Sequence, residues 1–157
     1  VESPRSVTAK IICVYTILMK ILSTYSAHTS HNPSAVFAQW ADPVAWPAWD
    51  PEIKSVAFDS PATLGKRGKL QPANGPALRF SITAFRLDEV FTDTGFLPGA
   101  RLEFEHLVES IDGGSLVTVT VRVHGILSAL WARILAPSMS EAARSSVVGL
   151  LAHLDSA

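Results

Sequence analysis

Two stretches in the second half of the chain alternate apolar and polar residues with a period of two. Between positions 100 and 109, Leu102, Phe104, His106 and Val108 fall on one side, and Arg101, Glu103, Glu105 and Glu109 on the other. Between 116 and 124, Val117, Val119, Val121 and Val123 oppose Thr118, Thr120, Arg122 and His124. Successive side chains of a strand point to opposite faces, so each stretch reads as a strand with one dry and one wet face. Asp112-Gly113-Gly114 between them is a hairpin turn. A hairpin that is apolar on a single face needs a second layer to bury its valines.

That layer is written into the C-terminus. Met139, Ala143, Val147, Leu150 and Leu154 recur every three or four residues, one apolar stripe on a helix over 138–154. Glu141, Arg144, Ser145 and His153 lie mostly off the stripe. Ser138 or Ser140 is the expected N-cap, with Glu141 in the first turn. Residues 126–136 also read as helical, and Pro137 is expected to divide the region into two segments.

The remaining elements fit the same plan. Further strands are expected over 21–29, 53–59, 65–72, 77–85 and 89–96, the last with no assignable facing. Asn74-Gly75 marks a hairpin, and Leu97-Pro98-Gly99 a turn. Asn32 followed by Pro33 is a helix start, with Val36, Phe37 and Trp40 on one face and Asp42-Pro43 as its end. Trp46 and Trp49 sit among Pro43, Pro47 and Pro51, which permits a stiff loop or a turn of helix but no central strand. The order is an α+β class, a curved antiparallel sheet wrapped around a long C-terminal helix, as a single domain over 19–157.

The 157 residues are 48% apolar, enough for a sizeable core, and a net charge of −1 gives no general basis for binding nucleic acid. The short basic run Lys66, Arg67, Lys69 reads as a solvated strand face. The single Cys13 excludes an internal disulfide and suits a cytoplasmic location. Residues 1–18 read as an extension that the domain does not need. Their apolar run, interrupted by Lys20, is short of the ~20 residues that span a bilayer, so no stable membrane insertion is expected.

Several segments together resemble the helix-grip (SRPBCC, START-like) superfamily, and within it the polyketide cyclase/dehydrase family. They are N-P-S-A-V-F-A-Q-W-A-D-P at 32–43, W-P-A-W-D at 46–50 and G-K-R-G-K-L at 65–70. L-P-G-A-R-L-E-F-E-H at 97–106 and V-T-V-R-V-H-G at 119–125 complete the set. The resemblance spans about 20–154. It implies an apolar cavity between sheet and helix that holds a small hydrophobic molecule, lipid-like or polyketide-like, and in some members catalyses cyclisation or dehydration.

His106 is the one ionisable residue on its apolar face. An imidazole there can act as general acid or base, bind a ligand carbonyl, or be a core histidine satisfied by a backbone carbonyl. The expected binding residues are Trp46, Trp49, Phe80, Leu102, Phe104 and His106. Both tryptophans can also be plain core filling. Asp50 fits a turn before Pro51 better than a polar gate. A cyclase or dehydratase would draw on His106, with Thr92 or Thr94 if they point inward. His28 and His31 lack a third ligand at metal spacing, so neither metal nor cofactor is expected. A homodimer is left open.

Overall fold

The computed structural model describes residues 18–157. The expected extension over 1–18 therefore lies, apart from Leu18, outside the described residues. Seven antiparallel strands form one sheet: β1 (Met19–Thr29), β2 (Ile53–Phe58), β3 (Arg67–Pro72), β4 (Leu78–Arg86), β5 (Val90–Leu97), β6 (Ala100–Ile111) and β7 (Gly114–His124). Their spatial order is β1-β7-β6-β5-β4-β3-β2. Every neighbour but β1 follows its partner in sequence, so hairpins build the sheet and β1 closes its far edge.

Register fixes the faces. His106 lies opposite Phe91 on β5 and Val119 on β7, and Val119 lies opposite Tyr25 on β1. The next row reads Ser23, Val121, Phe104, Asp93 and Ile82. Paired residues share a face, so these rows form the inner side of the sheet. The outer side carries the polar alternates. Thr24 bonds Thr120, Ser26 bonds Thr118, and Arg122 bridges Glu103 and Glu105.

Two groups of elements cover the inner side. One is helix α1 (Pro33–Trp40) with the 3-10 helix Pro43–Ala48, placed between β1 and β2. Asn32 caps α1 as its sequence predicts, accepting a 2.9 Å bond from the Ala35 amide. The buried face is Val36, Phe37 and Trp40. The other is the C-terminal pair α2 (Ser128–Met139) and α3 (Ala142–Asp155). The expected break at Pro137 is corrected: α2 runs through Pro137 and the chain bends at Ser140–Glu141. Pro137 lies in the last turn of α2, so its missing N–H costs one hydrogen bond and little helix follows for its ring to disrupt. The predicted serine cap is corrected too. Glu141 occupies the N-cap position without a side-chain bond, and the Ala143 amide donates instead to Ser23 Oγ at 3.2 Å. The sheet rather than the helix's own sequence supplies that acceptor.

Candidate functional site

The inner face divides into a filled part and a partly open part. Trp40, Phe37, Phe91 and Phe85 meet edge to face, with Phe37–Phe85 and Phe37–Phe91 centroids 5.2 and 6.2 Å apart. Trp46 packs on Phe80 at 5.6 Å and on Phe91 at 6.0 Å, and its indole N–H donates to the Trp40 carbonyl at 3.0 Å. Prolines 43 and 47 hold this short helix stiff, so the tryptophans enter the core as a plug. Trp46 and Trp49 are only 4% and 6% exposed, which places both inside the packed layer.

The cover that α2 gives is thinner: it packs on β1, β7 and β6 with its Leu135 and Met139 half-buried. Leu97 and Phe104 on the inner face, and Phe58 and Leu70 toward the β2 edge, are half-buried as well. Leu102 and Phe80 are buried beside them. The expected binding residues are thus distributed: Trp46, Trp49 and Phe80 in the plug, Leu102 and Phe104 under α2, and His106 between the two. Two surface depressions of about 490 and 820 Å³ lie elsewhere, beside Gly99 and Gly125 and at the rim near Asn32, Arg86 and Leu107. None of the six expected residues lines them.

His106 points inward, as its alternation predicts, and is buried. Its Nδ1–H donates to the Phe91 carbonyl at 3.1 Å, and its ring lies 5.2 Å from that of Trp40. A carbonyl can only accept, so this bond fixes the tautomer and leaves Nε2 with a free lone pair. Burial pushes the His106 pKa down to about 4, against the opposing pull of the Phe91 and Phe104 carbonyls. The ring is therefore neutral at pH 7.

The functional neighbour that the sequence reading passes over is Asp93. Its carboxyl stands 3.9 Å from His106 Nδ1, beyond a hydrogen bond, with 9% side-chain exposure. Burial pushes its pKa up to about 8, with the nearby Asp50 charge adding to the rise. Asp93 is thus mostly protonated at pH 7, and the contact is between a neutral acid and a neutral base rather than an ion pair. Thr92 and Thr94, the expected auxiliary candidates, are corrected: both lie opposite Glu105 and Glu103 on the outer side. An aspartate on an inward row breaks the apolar pattern by which facing is read, and only pairing with Phe104 reveals it.

Asp50 takes the expected turn role. Its Oδ1 accepts from the Glu52 amide at 2.9 Å, and burial raises its pKa to about 6. The indole nitrogens of Trp40 and Trp49 are buried donors without acceptors. His31 binds Asp155 at 2.8 Å and ties the start of α1 to the end of α3. His28 is exposed on the outer side. No group of three or more metal-binding side chains occurs among the described residues, and none of their helices is long and apolar enough to cross a membrane.

Comparison with known proteins gives these features a context. The family model for polyketide cyclase / dehydrase and lipid transport matches residues 20–156. Among solved structures, Ara h 8.0201 is similar with a TM-score of 0.69 at 17% identity, over 88% of this chain and 99% of that one. Truncated norcoclaurine synthase from Thalictrum flavum gives 0.67 at 8% identity, over 88% and 94%. The di-domain ARO/CYC StfQ from the steffimycin biosynthetic pathway gives 0.73 at 10% identity, over 95% of this chain and 55% of that one. These likenesses establish the shared helix-grip fold. No curated protein matches at the level of sequence.

Proposed function

This chain belongs to the polyketide cyclase / dehydrase and lipid transport family, and from that premise we propose that it binds a small hydrophobic molecule between the sheet and α2. The observation that carries the reading is the incomplete cover of an apolar wall. Phe58, Leu70, Leu97 and Phe104 are half-buried on the inner face, and α2 buries only Ser128 where α3 buries five residues. Covering such a wall with a ligand contributes about 25 cal/mol per Å² removed from water. Phe104 and Leu102 form the apolar part of the site, and His106 receives the polar end. Trp46, Trp49 and Phe80 back it from the plug. The lone Cys13 fits action in the reducing cytoplasm.

The test is native mass spectrometry of the full chain purified under mild conditions, with organic extraction of what it carries. A co-purified hydrophobic compound, or a rise in melting temperature with one member of a lipid and aromatic panel, is expected. No shift across the panel would count against the reading.

A second reading, an enzyme of the cyclase or dehydratase kind, draws on one specific observation, the 3.9 Å approach of Asp93 to His106. A neutral imidazole can remove a proton beside a ligand carbonyl, and a protonated carboxyl can assist the loss of water. The two readings separate on His106→Gln. Under the carrier reading it alters affinity only, whereas under the enzyme reading it abolishes turnover of a ligand that still binds.

A further inference from the structure

The inner side of the sheet offers no side-chain cation to a ligand. Among the described residues every Lys and Arg is exposed except Lys66 and Arg122. Lys66 is held by the Asp59 and Pro61 carbonyls, and Arg122 on the outer side by Glu103 and Glu105. The exposed Arg144 of α3 lies over the Tyr25 ring at 6.0 Å, at the β1 edge. Around Asp93 the ionisable groups are His106 on β6, Asp50 after the 3-10 helix, and Glu103 on the far side of the sheet. Inward positions of β7 are valines and Ser115, which donates to the His31 carbonyl, and those of β2 to β4 are apolar or glycine.

The uncharged polar atoms are unevenly matched as well. The Nε1–H groups of Trp40 and Trp49 lack acceptors, and the Phe91 carbonyl engages the His106 ring at Nδ1, the nitrogen away from Nε2. A buried donor or acceptor left unmet is costly, and a ligand that meets it recovers that cost. Asp93 and His106 lie 3.9 Å apart on the inner face and keep 9% and 7% side-chain exposure.

Resting on the binding reading above, we propose that this interior selects an uncharged, hydroxyl-bearing hydrophobe over carboxylates and amines, its hydroxyl donating to His106 Nε2 and accepting from Asp93. A carboxylate would be desolvated beside Asp50 with no cation to offset it. An ammonium has no lone pair, so it cannot accept from Asp93 or from the spare indole donors, and its own charge must be desolvated. A neutral hydroxyl has one donor and two acceptor positions, which suits one free lone pair and one protonated carboxyl.

The experiment is calorimetric titration of the full chain with four matched probes: methylnaphthalene, naphthylmethanol, naphthoate and naphthylmethylamine. At pH 7 the alcohol is expected to bind about tenfold tighter than the other three, the worth of one good buried hydrogen bond. Its affinity should fall as pH rises through about 8, where Asp93 loses its proton. Asp93→Asn, which keeps a donor, should bind the alcohol at pH 7 and lose that decline. His106→Phe should bring the alcohol down to the level of methylnaphthalene. If His106→Phe does not fold, the pH profile of Asp93→Asn decides alone. Naphthoate or naphthylmethylamine binding as tightly as the alcohol would overturn the selectivity, as would methylnaphthalene doing so, while leaving hydrophobic binding intact. Binding of none of the four would overturn the binding reading, and this inference with it.

Discussion

The two C-terminal helices cover the same sheet in different ways. Helix α3 buries Ala142, Ala143, Ser146, Val147 and Leu150 and packs on β1 and β7. It is anchored at its start by Ser23 and at its end by His31. Helix α2 has Ser128 as its one buried residue, while Leu130 and Ile134 are 53% and 54% exposed. Its N-terminal turn is tied down by the Trp131 indole, which donates to the Pro98 carbonyl at 2.8 Å. The bend between the helices lies at the level of Ser23, and Asp93 and Phe104 share that row of the sheet. One half of the cover is therefore core and the other half a loosely seated flap, and the candidate site lies under the seam. Local stability follows buried contacts, so α2 is the half expected to open first.

The largest effect should come from the clamped half. Leu150→Ala removes a fully buried side chain, and chemical denaturation should register a loss of about 2–5 kcal/mol. A loss near zero would erase the distinction between the helices. Gly149→Ala tests the same clamp from the side of the plug. A Cβ there would run into the Trp49 carbonyl oxygen, and the expected cost is roughly 1–3 kcal/mol. A neutral result would mean that α3 can shift away from the 3-10 helix without penalty.

At the seam the expected signal is a pH dependence. The folded Asp93 pKa is raised to about 8, so between about pH 4 and 8 the folded chain holds a proton that the unfolded chain releases. Stability from this group therefore declines as pH rises through that window. His106 works in the opposite sense. Its lowered pKa makes stability rise from about pH 4 to the ordinary imidazole value of 6.5, above which it contributes no further slope. The clean window is pH 6.5 to 8, where one proton corresponds to a decline of at most about 2 kcal/mol. Asp93→Asn should flatten it in urea melts, and an unchanged slope would assign the titration elsewhere. The smallest effect belongs to the flap. Leu130→Ala should change stability by no more than about 0.5 kcal/mol. A cost as large as that of Leu150→Ala would show α2 to be core after all.

Most of the framework was legible because it rests on short-range rules. The valine alternation of β7, the glycine turns and the Asn32 cap each need only a few neighbouring residues, and the stripe from Met139 to Leu154 chose its buried face correctly. The inward facing of His106 followed from the same alternation. What failed was local wherever a distant partner decided the outcome. Pro137 falls in the last turn of its helix, where only one hydrogen bond is lost before the chain bends anyway, and the start of α3 takes its acceptor from Ser23 at the other end of the chain.

The sequence by itself determined an antiparallel sheet with one dry face, a helical cover, and a histidine on the dry side, since periodicity and turn chemistry act within a few residues. Only the tertiary structure decided that Asp93 joins His106, because β5 has an ambiguous pattern and β4 carries a bulge between Ile82 and Ala84 that resets facing. It also decided that Trp46 fills the core and that α2 stays half-covered. Those outcomes depend on which side chains meet across strands and helices, and burial, which sets both the packing and the two opposed pKa shifts, is a property of the assembled layers.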